Sequence, residues 1–152
     1  MGYSLVPAVL MRPGNCSLNN HQGQFMKNAK WREPSVLVVD DDPCVRESLA
    51  ELLGLRGYPV MEAENGAEAL HVLKTAPDFP CLVVLDLRMP ILDGRGFLNQ
   101  RAEDPILRTI PVVVVSGSPA SGSELEGIEA LLAKPVNLND LIQIIRETCR
   151  NR

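Results

Sequence analysis

Beyond Ser35 the apolar positions fall into short unbroken runs separated by stretches of helical period. Val36-Leu37-Val38-Val39 is a continuous, β-branched run, the pattern of a strand covered on both faces. Asp42-Pro43 then opens a helix, with Asp42 as N-cap and Pro43 in the first turn. Val45, Leu49, Leu52 and Leu53 give that helix one apolar face, and Gly57 ends it. A brief strand spans Val60 to Ala63, and Asn65 caps a second helix with Glu68 as its capping-box partner. Cys81 to Leu85 forms a third strand, and Asp93-Gly94 turns the chain into a helix around Phe97. Pro111 leads into a fourth strand, Val112 to Val115, and Ala130 to Ala133 is a short fifth. Asn137 caps the last helix, along which Leu141, Ile144, Ile145 and Thr148 repeat helically. Five strands alternating with helices predict an α/β domain: a five-stranded parallel sheet with helices on both faces and right-handed crossovers.

The first 34 residues lack either period. Pro7, Pro13, Gly14, Asn15, Asn19, Asn20, Gln22 and Gln24 interrupt them, so residues 1–34 read as a mobile extension and residues 35–152 as the domain. Leu5 to Met11 is a poor signal peptide, because no basic residue precedes it and Pro7 breaks it. Val6 stands where myristoylation wants Ser or Thr. Met26 is a serviceable alternative start, so residues 1–25 are expected to be dispensable.

At 152 residues with 22% charged and 45% apolar side chains, the chain has the composition of one globular domain rather than of a disordered segment. Its longest apolar runs are far too short to cross a bilayer, which predicts no membrane insertion. Residues 1–34 carry four basic groups against Glu33, whereas residues 35–152 hold 11 basic and 18 acidic ones. So acidic a body repels phosphate backbones and argues against direct nucleic-acid binding. Cys16, Cys44, Cys81 and Cys149 are scattered without a CxxC pair. That spacing speaks against a disulfide framework or a zinc site and for a reducing cytoplasm, with Cys44 and Cys81 as small core residues.

In open α/β sheets chemistry collects outside the carboxyl ends of the strands. There the chain places Asp40 and Asp41 after strand one, Asp86 after strand three, Ser116 after strand four and Lys134 after strand five. Three adjacent carboxylates repel one another unless they are protonated or bridged by a cation. Oxygen ligands completed by water and a phosphate suit magnesium, with manganese as a substitute. A screened Asp86 is then a nucleophile toward phosphorus, with Lys134 and Ser116 placed to meet phosphoryl oxygens. By contrast, Asp42 reads as a cap, Asp93-Gly94 as a turn and helix start, His21 and His71 as solvent-facing, and Glu124, Glu126 and Glu129 as a solvated face.

This constellation resembles the receiver domain of two-component response regulators. The motifs are Val38-Val39-Asp40-Asp41, Leu85-Asp86-Leu87-Arg88-Met89-Pro90-Ile91-Leu92-Asp93-Gly94, Val114-Val115-Ser116-Gly117 and Lys134-Pro135. The resemblance implies a flavodoxin-like, doubly wound (βα)5 fold with strand order 2-1-3-4-5. It implies that Asp86 is the phosphoacceptor, that Asp41 and Asp86 bind magnesium directly with the Arg88 backbone carbonyl, and that Asp40 acts through a metal-bound water. It also implies a cis Lys134-Pro135 bond, a histidine kinase or phosphotransfer protein as phosphoryl donor, a further protein as downstream target, and docking through Pro43, Cys44, Glu47 and Pro135. Arg88 and Ser118 stand where the family tunes phosphoryl lifetime. Two positions depart from the family pattern. Leu131 stands where a switching aromatic is usual, and the stretch from Ser116 to Lys134 is short and interrupted by Gly117, Gly122 and Gly127, which predicts a shortened fourth helix.

The last helix ends near Arg150, so the chain is expected to be a stand-alone receiver similar to the chemotaxis response regulator, signalling by protein contact and not acting as an enzyme on a free substrate. Two other functions compete. Asp40-x-Asp42, Ser116 and Lys134 partly match a haloacid-dehalogenase-type phosphatase, although Asp86 and the Met-Pro-x-x-Asp-Gly segment then go unexplained. A receiver-like interaction module that is never phosphorylated is the other, favoured by Leu131 and opposed by the intact acidic set.

Overall fold

The computed structural model describes residues 34–118 and 125–150. Ten elements follow in the order β1 (Val36–Val39), α1 (Pro43–Leu55), β2 (Val60–Ala63), α2 (Gly66–Thr75), β3 (Leu82–Asp86), α3 (Gly94–Glu103), a 3-10 turn (Leu107–Thr109), β4 (Val112–Ser116), β5 (Ala130–Ala133) and α4 (Leu138–Arg150). The strands form one sheet in the order β2-β1-β3-β4-β5, all neighbours parallel. The expected strand order is present, and helices alternate with strands from β1 to β4 and again after β5. Residues 119–124, where part of the shortened fourth helix was expected, lie outside the described residues, as does the extension up to residue 33. Among the described residues between β4 and β5 there is no helix.

The strand period of two sorts the core into two layers. Leu37, Val39, Val83, Leu85, Val112 and Val114 face Ala69, Leu70 and Leu73 of α2 and Phe97 and Leu98 of α3. Val36, Val38, Leu82, Val84, Val113 and Val115 face Leu53 of α1 and Leu141, Ile142 and Ile145 of α4. Burying each such side chain is worth about 1.5–3 kcal/mol, so the unbroken aliphatic runs of β1 and β4 are what a doubly covered sheet requires.

The helix starts follow their caps. The Asp42 carboxylate accepts from the backbone N–H of Cys44 and Val45, and Asp93 accepts from Gly96. Asn65 accepts from the Glu68 N–H at 2.9 Å, while the Glu68 carboxylate reaches back to the Glu64 N–H at 2.8 Å. This capping box closes one residue before the expected partner. His71, Glu126 and Glu129 are exposed, as expected; His21 and Glu124 lie outside the described residues. The Lys134-Pro135 bond is cis.

Three expectations are overturned. Cys81 and Cys149 are joined by a disulfide, with Cα atoms 5.3 Å apart across 68 residues of sequence. The last turn of α4 comes to rest over the foot of β3, a proximity that sequence spacing does not contain. Cys44 is an exposed free thiol rather than a core residue, because the first turn of α1 projects beyond the sheet. The α1 face is also thinner than its periodicity implies, for Leu53 alone is fully buried and Leu52 and Leu55 remain exposed. Among the described residues no helix is long and apolar enough to cross a membrane.

Candidate functional site

Strands β1, β3, β4 and β5 deliver the polar groups of the site to the same rim, where their buried runs stop. The Asp40 N–H still pairs with the Ala63 carbonyl of β2, so its side chain is fixed as if the strand continued. It is buried, and both carboxylate oxygens are engaged: one accepts from the Asp42 N–H at 2.9 Å and the other from Lys134 Nζ at 2.8 Å. Arg46, one turn into α1, donates to the Asp40 backbone carbonyl at 2.7 Å and pairs with Glu62 of β2 at 3.3 Å. Asp41, by contrast, is exposed.

Asp86 is the last residue of β3, and its side chain is buried beside Lys134 at an Oδ2–Nζ distance of 3.4 Å. Burial raises the Asp86 pKa above the ordinary carboxylate range, and the charge of Asp40 adds to the rise. Lys134 and the Arg88 backbone N–H oppose the shift without cancelling it. Burial alone would lower the Lys134 pKa, but Asp40 and Asp86 outweigh it and the ammonium is held charged. Lys134 is set in place by its own backbone N–H, which donates to the Ser116 carbonyl at 3.0 Å.

Side-chain oxygens of Asp40, Asp41 and Asp86 lie within 4.8 Å of one another, a spacing a single hard cation spans. Asp40 spends both oxygens on protein donors, which leaves Asp41 and Asp86 as the better placed pair. The donor set therefore fits magnesium: oxygen atoms alone, no more than two or three carboxylates, and an exposed side for water and phosphate.

The two remaining site residues face another way. Ser116 Oγ donates to the Ser118 carbonyl at 2.7 Å, and the Arg88 guanidinium bonds the Ser118 hydroxyl. These contacts join the β3–α3 loop to the segment after β4. Leu131, half-buried on β5 opposite Val114, packs against the core layer of α2 and α3. Pro43, Cys44, Glu47 and Pro135 are all exposed on the same rim.

Sequence reasoning missed Arg46 and the Asp42 N–H as the groups that hold Asp40. Arg46 follows Asp40 by six residues, which places it one turn above the strand end and so in reach. It also missed Gly94, where a Cβ would lie 2.5 Å from the Asp86 carbonyl oxygen and 2.8 Å from Leu87 Cα. Only glycine lets α3 start this close to the strand that carries Asp86.

A doubly wound parallel sheet that gathers three acids, a serine and a lysine on its carboxyl rim is the architecture of a receiver domain. The response regulator receiver domain matches residues 36–146, and the chain belongs to this family. It is 39% identical over 125 residues to the transcriptional regulatory protein PrrA of Mycobacterium leprae, covering 78% of this chain and 51% of that protein. The crystal structure of a response regulator receiver protein from Pseudomonas putida superposes with a TM-score of 0.70 at 28% identity, over 76% of this chain and 98% of that one. The response regulator TrrA of Thermotoga maritima, crystallised in complex with Mg2+ and BeF, gives a TM-score of 0.67 at 27% identity, over 76% and 98%. The chain spans about half the length of the curated relatives it matches.

Proposed function

We propose that this receiver accepts a phosphoryl group on Asp86 from a histidine kinase or phosphotransfer protein, in a magnesium-dependent reaction, and passes the signal on by protein contact. The observation that carries the proposal is the buried Asp86 carboxylate, with Lys134 at 3.4 Å and the oxygens of Asp40 and Asp41 within 4.8 Å. Asp86 Oδ attacks the phosphorus of a phosphohistidine. The new O–P bond replaces the P–N bond, and the departing imidazole takes up a proton. Lys134 supplies a fixed positive charge to a phosphoryl oxygen, and Ser116 a hydroxyl donor once it releases the Ser118 carbonyl. When bound, magnesium supplies neutralising charge between the carboxylates and the phosphoryl oxygens. Asp41, Asp86 and the Arg88 carbonyl are the proposed direct ligands, with Asp40, each of whose oxygens already accepts one protein hydrogen bond, acting through water.

In this reading the carboxylate is itself the substrate, so the chain catalyses only its own phosphorylation and dephosphorylation. Residues 35–152 constitute the responding domain, and the exposed rim formed by Pro43, Cys44, Glu47 and Pro135 is the proposed approach for the donor. Magnesium in the Thermotoga maritima relative supports the metal assignment. Incubation with acetyl phosphate and magnesium, followed by intact mass, tests the proposal against an Asp86→Asn control. One phosphoryl adduct, absent in the variant, is expected. Steady hydrolysis of free phosphate esters would assign a phosphatase instead, and absence of any adduct a silent interaction module.

A further inference from the structure

The Cys81–Cys149 pair lies at the end of the sheet opposite the acid pocket. Cys81 immediately precedes β3, its N–H bonded to the Ser35 carbonyl at 2.8 Å, and is buried; Cys149 sits in the last turn of α4 and is half-buried. The Cα separation of 5.3 Å is within the range that a disulfide bridges without moving the backbone. Docking of α4 does not depend on that bond, because Leu141, Ile142 and Ile145 are buried against the sheet in their own right. As thiols, the two side chains are small apolar groups in a core layer that both already line. The fold therefore accommodates both redox states, and the bond acts on the last turn of a helix, the part that frays most easily.

We propose that Cys81 and Cys149 form a reversible redox lock that fastens the end of α4 to the foot of β3. The oxidant is a small disulfide of the oxidised glutathione class. The Cys149 thiolate, the more accessible of the two, attacks it and expels one glutathione thiolate. The Cys81 thiolate then attacks the Cys149 sulfur of the mixed disulfide and expels the second. Two electrons pass from the protein pair to the small disulfide, and the two protons leave the protein to be carried by the released thiols at equilibrium. The helix so fastened begins at Leu138, just after Lys134 and Pro135, so the lock fixes the far end of the element that follows the site lysine. Its formation does not depend on the chemistry proposed for Asp86.

The test uses the full chain carrying Cys16→Ser and Cys44→Ser, so that only the pair remains. The folded protein is equilibrated with oxidised or reduced glutathione, alkylated, weighed intact and melted. The lock predicts that oxidation removes both alkylatable thiols without adding glutathione mass, raises Tm by about 5–15 °C, and is reversed by reduced glutathione. Adding Cys149→Ser abolishes the Tm response. The proposal is overturned if both thiols remain alkylatable, if glutathione stays on Cys149, if the bond joins two chains, if Tm does not move, or if the folded protein resists reduction.

Discussion

Lys134 Nζ lies 2.8 Å from Asp40 Oδ2 and only 3.4 Å from Asp86 Oδ2, so one ammonium just after β5 bridges two buried carboxylates that would otherwise repel. Among the described residues Lys134 is the cation paired with Asp86, and replacing it with an apolar group of similar length leaves the two acids facing each other. Lys134→Met is expected to slow phosphorylation from acetyl phosphate by about 10²-fold, the usual loss for one preorganised charge at a transferring group. The Asp86 pKa, already raised, should move further upward in the variant. The pH dependence of the phosphorylation rate, followed by intact mass, checks both expectations; an unchanged rate would remove Lys134 from the chemistry.

The raised pKa of Asp86 has a consequence for stability. The folded state binds this proton more tightly than the unfolded chain does. The favourable contribution is therefore fully present below the unfolded pKa and is lost as pH rises through the folded one. Asp86→Asn carries no ionisable group and escapes that loss. In chelator, the variant is expected to melt a few degrees above the wild type at neutral pH, with the gap closing as the solution becomes acidic. Magnesium should stabilise the wild type and leave the variant nearly unmoved. Paired thermal melts across pH, with and without magnesium, read out all three effects. A variant no more stable at neutral pH would show that the ionised Asp86 is not under strain.

Asp41 differs from its two partners in being exposed, which separates metal binding from folding. Asp41→Asn should leave the unfolding free energy in chelator unchanged within about 0.5 kcal/mol, the ordinary range for a surface substitution. Magnesium affinity, measured by calorimetric titration, should fall by roughly tenfold or more, because one of few carboxylate ligands is gone. Retained affinity would move the ion to Asp40 and Asp86 alone.

The sheet was readable because periods of two and 3.6 are distinct and the β-branched runs of β1 and β4 admit only a doubly covered strand. The site was readable for a related reason: Asp40, Asp41, Asp86, Ser116 and Lys134 each follow an apolar run, and a parallel sheet brings such positions to one rim. What escaped depends on contacts between distant parts of the chain. Nothing near Cys81 announces Cys149, and the pairing exists only once α4 has docked. Gly94 reads as an ordinary turn glycine until the Asp86 carbonyl is seen where a Cβ would be. Leu52 belongs to a helical stripe, yet the stripe reaches past the edge of the surface it packs on. Asp42 was legible as a cap from Pro43, but not its backbone N–H as a donor to Asp40.

Arg101 lies in the last turn of α3, and its side chain is buried. Its guanidinium donates to the Ile110 carbonyl through Nε at 3.1 Å and Nη2 at 2.6 Å, to the Arg108 carbonyl at 3.1 Å and to the Gly127 carbonyl at 3.4 Å. One side chain thus ties the end of α3 to the entry of β4 and to the segment leading into β5. Burial lowers its pKa, with Glu129 opposing. At neutral pH it stays charged, so it adds no pH dependence near neutrality. Arg101→Ala removes every one of these donors and strands carbonyls that water reaches poorly. Buried unsatisfied groups cost about 1–3 kcal/mol each, and partial rehydration brings the expected loss to about 2–4 kcal/mol. Arg101→Lys should recover little, because a point ammonium cannot serve carbonyls spread over three directions. Urea denaturation of the two variants measures this directly. A loss below about 0.5 kcal/mol for the alanine variant would show that these carbonyls are satisfied without the guanidinium.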